Sequence, residues 1–516
     1  MRTSAFPKRA GGTGRLSRSR GAGGASRIPA GFVIFLLIIV IIVLPGCISG
    51  EPLTLSRAVE LALQNNDQIK QYSERVSEKT HDDREAWGNF LPSVSFQGGY
   101  THLNDDMQID LSPIRSAIMQ MQAGNQVEMA NIYSLLQSGT PLTSEQRDVL
   151  FGQYFNQLDA RLPAFVETLK KQDYRTATLV GLQPIFMGGK LVAAKKAAAA
   201  ERRASEAELV KVENDIVAEA VTRYLSVALF RDVVKTRQNV LAGMEHHRDD
   251  ARKLYDEGLI ARYQLLRAEV AVADAERNLF DDQNRLELAM VGLRHTLGLP
   301  DEAPVTITDS MAYVATPDSL AAFQGEALQG QPLLHMIAEK KKAAAQKLAV
   351  ERSEFLPHLY GFGKYEMYPE YLSIMEPRWA VGIQFSMNLF SGAKRYERLQ
   401  SARHLTREVG YLESGARRQI DLLVQKTYRD MRNAEERYRK LAANVALGEE
   451  NLRVNESRFR TGLGTSLDVI DARLSLEKNQ VERLLSLFDY LKSMTDLYTA
   501  VGEPRQVLTL WETRSN

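Results

Sequence analysis

The side chains best placed for chemistry are two carboxylates late in the chain, Asp468 and Asp471. Three residues apart, they share a face if the segment is helical. Paired negative charge of this kind attracts cations, and acids at a helix start also suit its dipole. Nothing nearby completes a reactive set. His246 and His247 are adjacent, so on a helix they point to different sides and make a poor metal pair; exposed helix surface is expected for both. Met107, Met119, Met121 and Met129 gather in residues 102–174. Thioethers can hold copper(I), but methionines more commonly pack flexible helices, and no metal site is assigned. HExxH, GxSxG, a Walker loop and CxxC are all missing. The chain therefore reads as a non-enzyme with no catalytic residues and no cofactor.

Charge narrows the partners. Lys plus Arg is 65 and Asp plus Glu is 64 among 516 residues, for a net charge of +1. A nucleic-acid binder would carry a basic excess, so no nucleic acid is expected. The balance is uneven along the chain. Residues 1–46 hold seven basic side chains and no acid, leaving a body with a net charge of −6. That basic stretch precedes an apolar run of 13 residues, Phe32 to Leu44, shorter than the ~20 needed to span a bilayer. Residues 1–46 read as a signal peptide. The Leu44-Pro45-Gly46-Cys47 quartet resembles a bacterial lipobox, which makes Cys47, the sole cysteine, the candidate lipidation site. Pro45 departs from the usual small or β-branched residue there. Acyl chains on Cys47 would hold the N-terminus at a membrane.

The elements that position the two aspartates come from an internal duplication. Phe186-Met187-Gly188-Gly189-Lys190 matches Phe390-Ser391-Gly392-Ala393-Lys394, and Gly258-Leu259 matches Gly462-Leu463, both at an offset of 204. Phe90-Leu91-Pro92 matches Phe355-Leu356-Pro357 at an offset of 265, so the first half carries 61 extra residues, placed within 102–174. Each half reads helix, strand, loop, strand, long helix, turn, helix. Domain bounds follow: a first repeat over 52–298, a linker over 299–331, a second repeat over 332–503 and a tail over 504–516.

Four strands are expected. Val94 to Thr101 and Ala380 to Leu389 alternate apolar and polar residues with period two; the other two lie near 175–183 and 359–365. Such strands suit a barrel wall between lipid and water. Four strands cannot close a barrel, and an open edge is not tolerated in hydrocarbon. Closure therefore needs several chains, with 8, 12 or 16 strands. Pro92, Pro184 and Pro357 are expected where strand meets helix. Leu265, Val272, Leu279, Leu286 and Leu293 repeat every seven residues, with Ala268, Ala275 and Ala289 between them and Asp282 as a break. Leu467, Ile470, Leu474, Val481, Leu484, Phe488 and Leu491 keep the same spacing, as in coiled coils. Small residues at Ala193, Ala194 and Ala197–Ala200 allow close helix approach. From Ala393 to Arg460 there is no proline; one helix there would run roughly 100 Å.

With these residues in hand, the chain resembles the TolC-like outer-membrane efflux family. The opening Leu53-Thr-Leu-Ser-Arg-Ala-Val-Glu-Leu-Ala-Leu-Gln-Asn-Asn66, the duplication, the Phe-x-Gly-x-Lys junctions and the Gly-Leu turns carry the likeness over about 52–503. The resemblance implies a mainly α fold with a small membrane β-barrel portion, built by a homotrimer as a 12-strand barrel on a 12-helix tunnel. It implies a bacterial outer membrane location, contact with outer-membrane lipid, and extension into the periplasm. It also implies a periplasmic adaptor and an inner-membrane pump as partners, and export of small molecules or ions. Gly258, Leu259, Gly462 and Leu463 would contact the adaptor. Asp468 and Asp471 would ring the periplasmic gate, repelling one another and raising each other's pKa. Gln264 and Arg267, their first-half equivalents, belong to the same gate, with Arg267 able to pair with an aspartate of a neighbouring helix. A type I protein-secretion duct shares this architecture. A periplasmic coiled-coil adaptor or scaffold without a pore is the competing reading of another class, and it leaves the strands unexplained.

Overall fold

The computed structural model describes residues 52–316 and 319–515. The signal segment 1–46 and Cys47 lie outside the described residues. Helix α1, Leu55–Asn65, buries Leu55, Ala58, Val59 and Ala62 on one face, and Thr54 caps it by accepting the Arg57 N–H. Asn66 breaks the chain and its side chain caps α2, Asp67–Gly88. Strand β1, Ser93–His102, leads into an excursion made of β2 (Met107–Asp110), α3 (Ser112–Ser138), α4 (Ser144–Arg161) and β3 (Val166–Lys170). The chain returns as β4, Asp173–Met187, and then runs through α5, Lys190–Asp256, and α6, Arg262–Thr296.

The second half repeats the plan. Helices α7 (Leu320–Gly330) and α8 (Pro332–Ser353) break at Gln331, the counterpart of Asn66 at the 265 offset. Strands β5 (His358–Glu366) and β6 (Trp379–Ser386) follow, then α9 (Lys394–Arg460), α10 (Ser466–Val501) and α11 (Gln506–Ser515). Helices α5 and α9 each have 67 residues, and both ends are displaced by the same 204 positions. A straight helix of that length is roughly 100 Å long.

The four long strands form one antiparallel sheet in the order β1-β4-β5-β6. The register aligns Phe96, Leu179, Tyr365 and Trp379 across the sheet, and Val94, Gly181, Gly363 and Val381 beside them. On this face Val94, Phe96, Tyr100, Trp379, Val381, Ile383 and Phe385 are all exposed. Tyr100, Tyr365 and Trp379 sit at the end of the sheet away from the long helices. The edges β1 and β6 have no further strand beside them among the described residues.

Three expectations change here. Six strands form rather than four, because the 102–174 excursion carries its own β2–β3 ladder. Strand β6 stops at Ser386, so Met387 to Leu389 are not part of it. Pro184 lies inside β4 rather than at a strand–helix junction; the register slips between Pro184 and Phe186, and a bulge absorbs the missing donor.

Ala193, Ala197, Ala200 and Ala204 are buried along one stripe of α5, which packs on α2 and α8. The main core lies further along α5, where Tyr224 and Tyr490 are fully buried. Their hydroxyls donate to the carbonyls of Leu53 (2.8 Å) and Val314 (2.5 Å). The 299–331 segment is packed rather than a free linker: Ile307, Met311 and Val314 are buried and α7 inserts Phe323. The tail is likewise docked, by Val507 and Trp511 on α11.

The junctions from β4 into α5 and from β6 into α9 each use left-handed residues. In the first half Gly188 and Gly189 supply them, with φ of +59° and +85°. In the second half Gly392 is followed by Ala393 at φ +62°, the one non-glycine residue with positive φ among those described. A Cβ in that region costs about 1 kcal/mol. Ala393→Gly should therefore raise stability by up to about 1 kcal/mol, less the backbone entropy glycine adds to the unfolded chain. A thermal melt would check this, and a lower midpoint would contradict it.

Candidate functional site at the helix tips

The two helical hairpins end in the same backbone device. At the first tip, the Gly258 N–H donates to Tyr255 O (2.9 Å) and the Leu259 N–H to Leu254 O (2.8 Å). At the second, the Gly462 N–H donates to Phe459 O (3.0 Å) and the Leu463 N–H to Arg458 O (2.8 Å). This double bond pattern is a Schellman cap, and it demands the positive φ that Gly258 (+75°) and Gly462 (+73°) adopt. The leucine after such a glycine commonly folds back onto its helix. Here Leu259 is 68% exposed and Leu463 is 74% exposed, so each tip presents an apolar side chain to solvent.

Beyond the second tip, Thr465 and Asp468 form a capping box. Thr465 N–H and hydroxyl donate to Asp468 Oδ2 (2.8 and 2.9 Å), and the Asp468 N–H returns to Thr465 Oγ1 (3.3 Å). The backbone bond from Thr465, then its hydroxyl, hold the Asp468 carboxyl below the usual carboxylate range. Within one chain this is opposite to the upward shift expected from mutual repulsion, because donors rather than Asp471 are its nearest neighbours. Asp471 is exposed and makes no ion pair among the described residues. Gln264 ties the tips together: its Oε1 accepts from the Ser466 N–H (3.2 Å). Arg267 is exposed and lies over the Tyr263 ring at 5.8 Å rather than on an aspartate. The structure thus brings Gln264 to the start of α10 and leaves Arg267 and Asp471 uncommitted.

Sequence reasoning misplaced one histidine. His247 is only 5% exposed, where exposed surface was expected. Its Nε2 lies 2.7 Å from Ser466 Oγ and its ring tilts against Phe459. Gly243, one turn earlier on α5, leaves room for the Arg473 guanidinium, which pairs with Glu456. Burial, followed by the Arg473 charge, pushes the His247 pKa down to about 4. The unfolded chain then binds a proton between pH ~6.5 and ~4 that the folded chain refuses, so stability falls on acidification through that window. The loss is of order 3 kcal/mol. In His247→Gln the slope of melting temperature against pH in this window should flatten; an unchanged slope would assign it elsewhere.

A second missed group lies deeper. Arg237 on α5 donates to Asp282 on α6 (2.7 Å) and to Glu477 on α10. Burial works against its charge, but the two carboxylates outweigh it and raise the guanidinium pKa. Asp282 is therefore not a mere break in the heptad. Leu467 and Leu474 also depart from the expected seam: they line an open groove of about 730 Å³ with Leu266 and Val270, while Val469, Ala472 and Leu476 make the buried contact. Among the described residues no cluster of His, Cys, Asp or Glu could hold a metal ion.

The sequence matches the outer membrane efflux protein family over residues 153–299 and 324–503. The chain belongs to that family. Its members are non-enzymatic transport channels, which places this protein in the outer membrane with a periplasmic tunnel. The fold is similar to that of the outer membrane protein VceC from Vibrio cholerae, at 20% identity and a TM-score of 0.66 over 87% of this chain and 96% of that one. The Campylobacter jejuni CmeC outer membrane channel gives 14% identity and 0.65 over 87% and 85%. The open-state Neisseria gonorrhoeae MtrE outer membrane channel gives 14% and 0.65 over 87% and 89%. No curated protein matches the chain. Among the described residues no helix of this efflux-family member is long and apolar enough to cross a membrane.

Proposed function

We propose that three copies of this chain close a 12-strand barrel in the outer membrane above a 12-helix tunnel, forming an exit duct for small molecules or ions. The observation that carries this reading is the sheet: an exposed apolar face, aromatic at its far end, bounded by two edges that are unpaired among the described residues. In hydrocarbon those edges must pair, and β6 of one copy is the available partner for β1 of the next. Strand β1, with ten residues, has the length of a tilted membrane strand.

At the other end, Gly258, Leu259, Gly462 and Leu463 are the adaptor contact, because each tip combines a rigid cap with an outward leucine. An inner-membrane pump would drive transport through that adaptor. Asp468, Asp471, Gln264 and Arg267 form the gate around the axis. Cys47, acylated, would add a lipid anchor. The test is the detergent-solubilised protein in planar bilayers: a heat-modifiable trimer with ion conductance is expected. A stable lone monomer that conducts nothing would overturn the assignment.

A further inference from the structure

The α3–α4 excursion has a face the fold leaves unused. Helices α3 and α4 pack through Met119, Ala123 and Val127. Both charged residues of α3 are spent on α4 or its edge: Arg115 pairs with Asp159 (2.7 Å) and Glu128 with Arg147 (3.5 Å). Arg115 also donates to the Leu162 carbonyl (2.8 Å), and the Asn131 side chain accepts the Leu142 N–H (3.0 Å). The hairpin is thus firmly built. On the opposite side of α3, Ile114, Ile118, Met121, Met129, Ile132 and Leu136 are all exposed, with Asn125 at the middle of the stripe. Their spacing repeats every eleven residues, the period of a seam between helices with a slight right-handed supercoil. No charge interrupts it.

We infer that this stripe packs against the same stripe of the neighbouring copies, so that three α3 helices roof the outer mouth of the duct. The inference rests on the trimeric reading above. Two observations favour a second copy over lipid as the occupant. The hairpin joins β1 to β4, and β1 is the edge strand that the trimeric reading pairs with another copy, so one leg of its root lies at the seam between copies. Asn125 suits the centre of a helix bundle, where a polar residue fixes register, and suits hydrocarbon poorly.

The test uses the full chain, whose only native cysteine, Cys47, sets the background. Asn125→Cys and Met129→Cys, mildly oxidised in outer membranes, should each shift most of the protein to disulfide-linked dimers with residual monomer. Gln157→Cys, on the outer side of α4, should stay monomeric. A scan of cysteine pairs along β1 and β6 gives the independent measure of barrel closure. If those pairs link copies while the stripe cysteines stay monomeric, the roof is wrong and the barrel stands. If neither set links, both fall. A polarity-sensitive fluorophore on Met129→Cys that reports hydrocarbon, together with absent cross-links, would give the stripe to lipid and overturn the proposal.

Discussion

Replacing Arg237 with methionine should lower stability by about 3–5 kcal/mol, the cost of leaving buried carboxylates without their counter-charge. The side chains of Asp282 and Glu477 are 3% and 5% exposed, and Arg237 touches both. Arg285 also reaches Asp282 (2.9 Å), but its own side chain lies largely in water, so it compensates weakly. The three partners come from α5, α6 and α10, and losing the cation sets two like charges between helices that must stay packed. Arg237→Met combined with Asp282→Leu and Glu477→Leu should recover most of the loss, since apolar residues of similar volume can replace a buried ion cluster. Thermal unfolding of the purified protein measures both. A single variant that melts with the parent would show that the cluster is not energetically coupled to the fold.

The second large effect is on conduction. Asp468→Asn with Asp471→Asn should weaken block by divalent cations several-fold and raise single-channel conductance, because each copy loses two carboxylates from the proposed gate. Asparagine is the informative choice at 468. Its amide oxygen can still accept the Thr465 N–H, so the helix start stays capped while the charge is removed. Alanine at 468 would remove cap and charge together and confuse the two. Unchanged traces in planar bilayers would take both aspartates out of the gate.

Much of the scaffold was legible because it is periodic. Matching Phe186–Lys190 with Phe390–Lys394 located two helices whose ends agree to the residue. The alternation from Val94 to Thr101 located β1, since a strand exposed on both faces to different media must alternate. What could not be read was contact across helices. Asp282 stood out as a flaw in a heptad, yet nothing in the local sequence points to Arg237, 45 positions earlier, or to Glu477. His247 looked like a surface residue because adjacent histidines must diverge on a helix. They do diverge, and His247 is the one turned inward, onto Ser466. Gly243 was the available signal: a glycine one turn before a histidine can mark a place where another side chain enters. The 102–174 segment reads from sequence as an outward-facing helical cap or elaborated surface loop, but the bounds of its two helices were hidden because α3 has a stripe on each side, which blurs the amphipathic pattern.

The equal length of α5 and α9 has a consequence for how this protein can change. Each helix acts as a ruler between sheet and tip, and the two rulers are read against each other. One inserted residue in α5 would rotate everything beyond it by about 100° and shift the tip by about 1.5 Å, re-aiming Leu259 while Leu463 stays as it was. Tolerated size changes in the shaft must therefore come as matched pairs, one in each half and each near a whole number of turns, so the tunnel can lengthen or shorten only in steps.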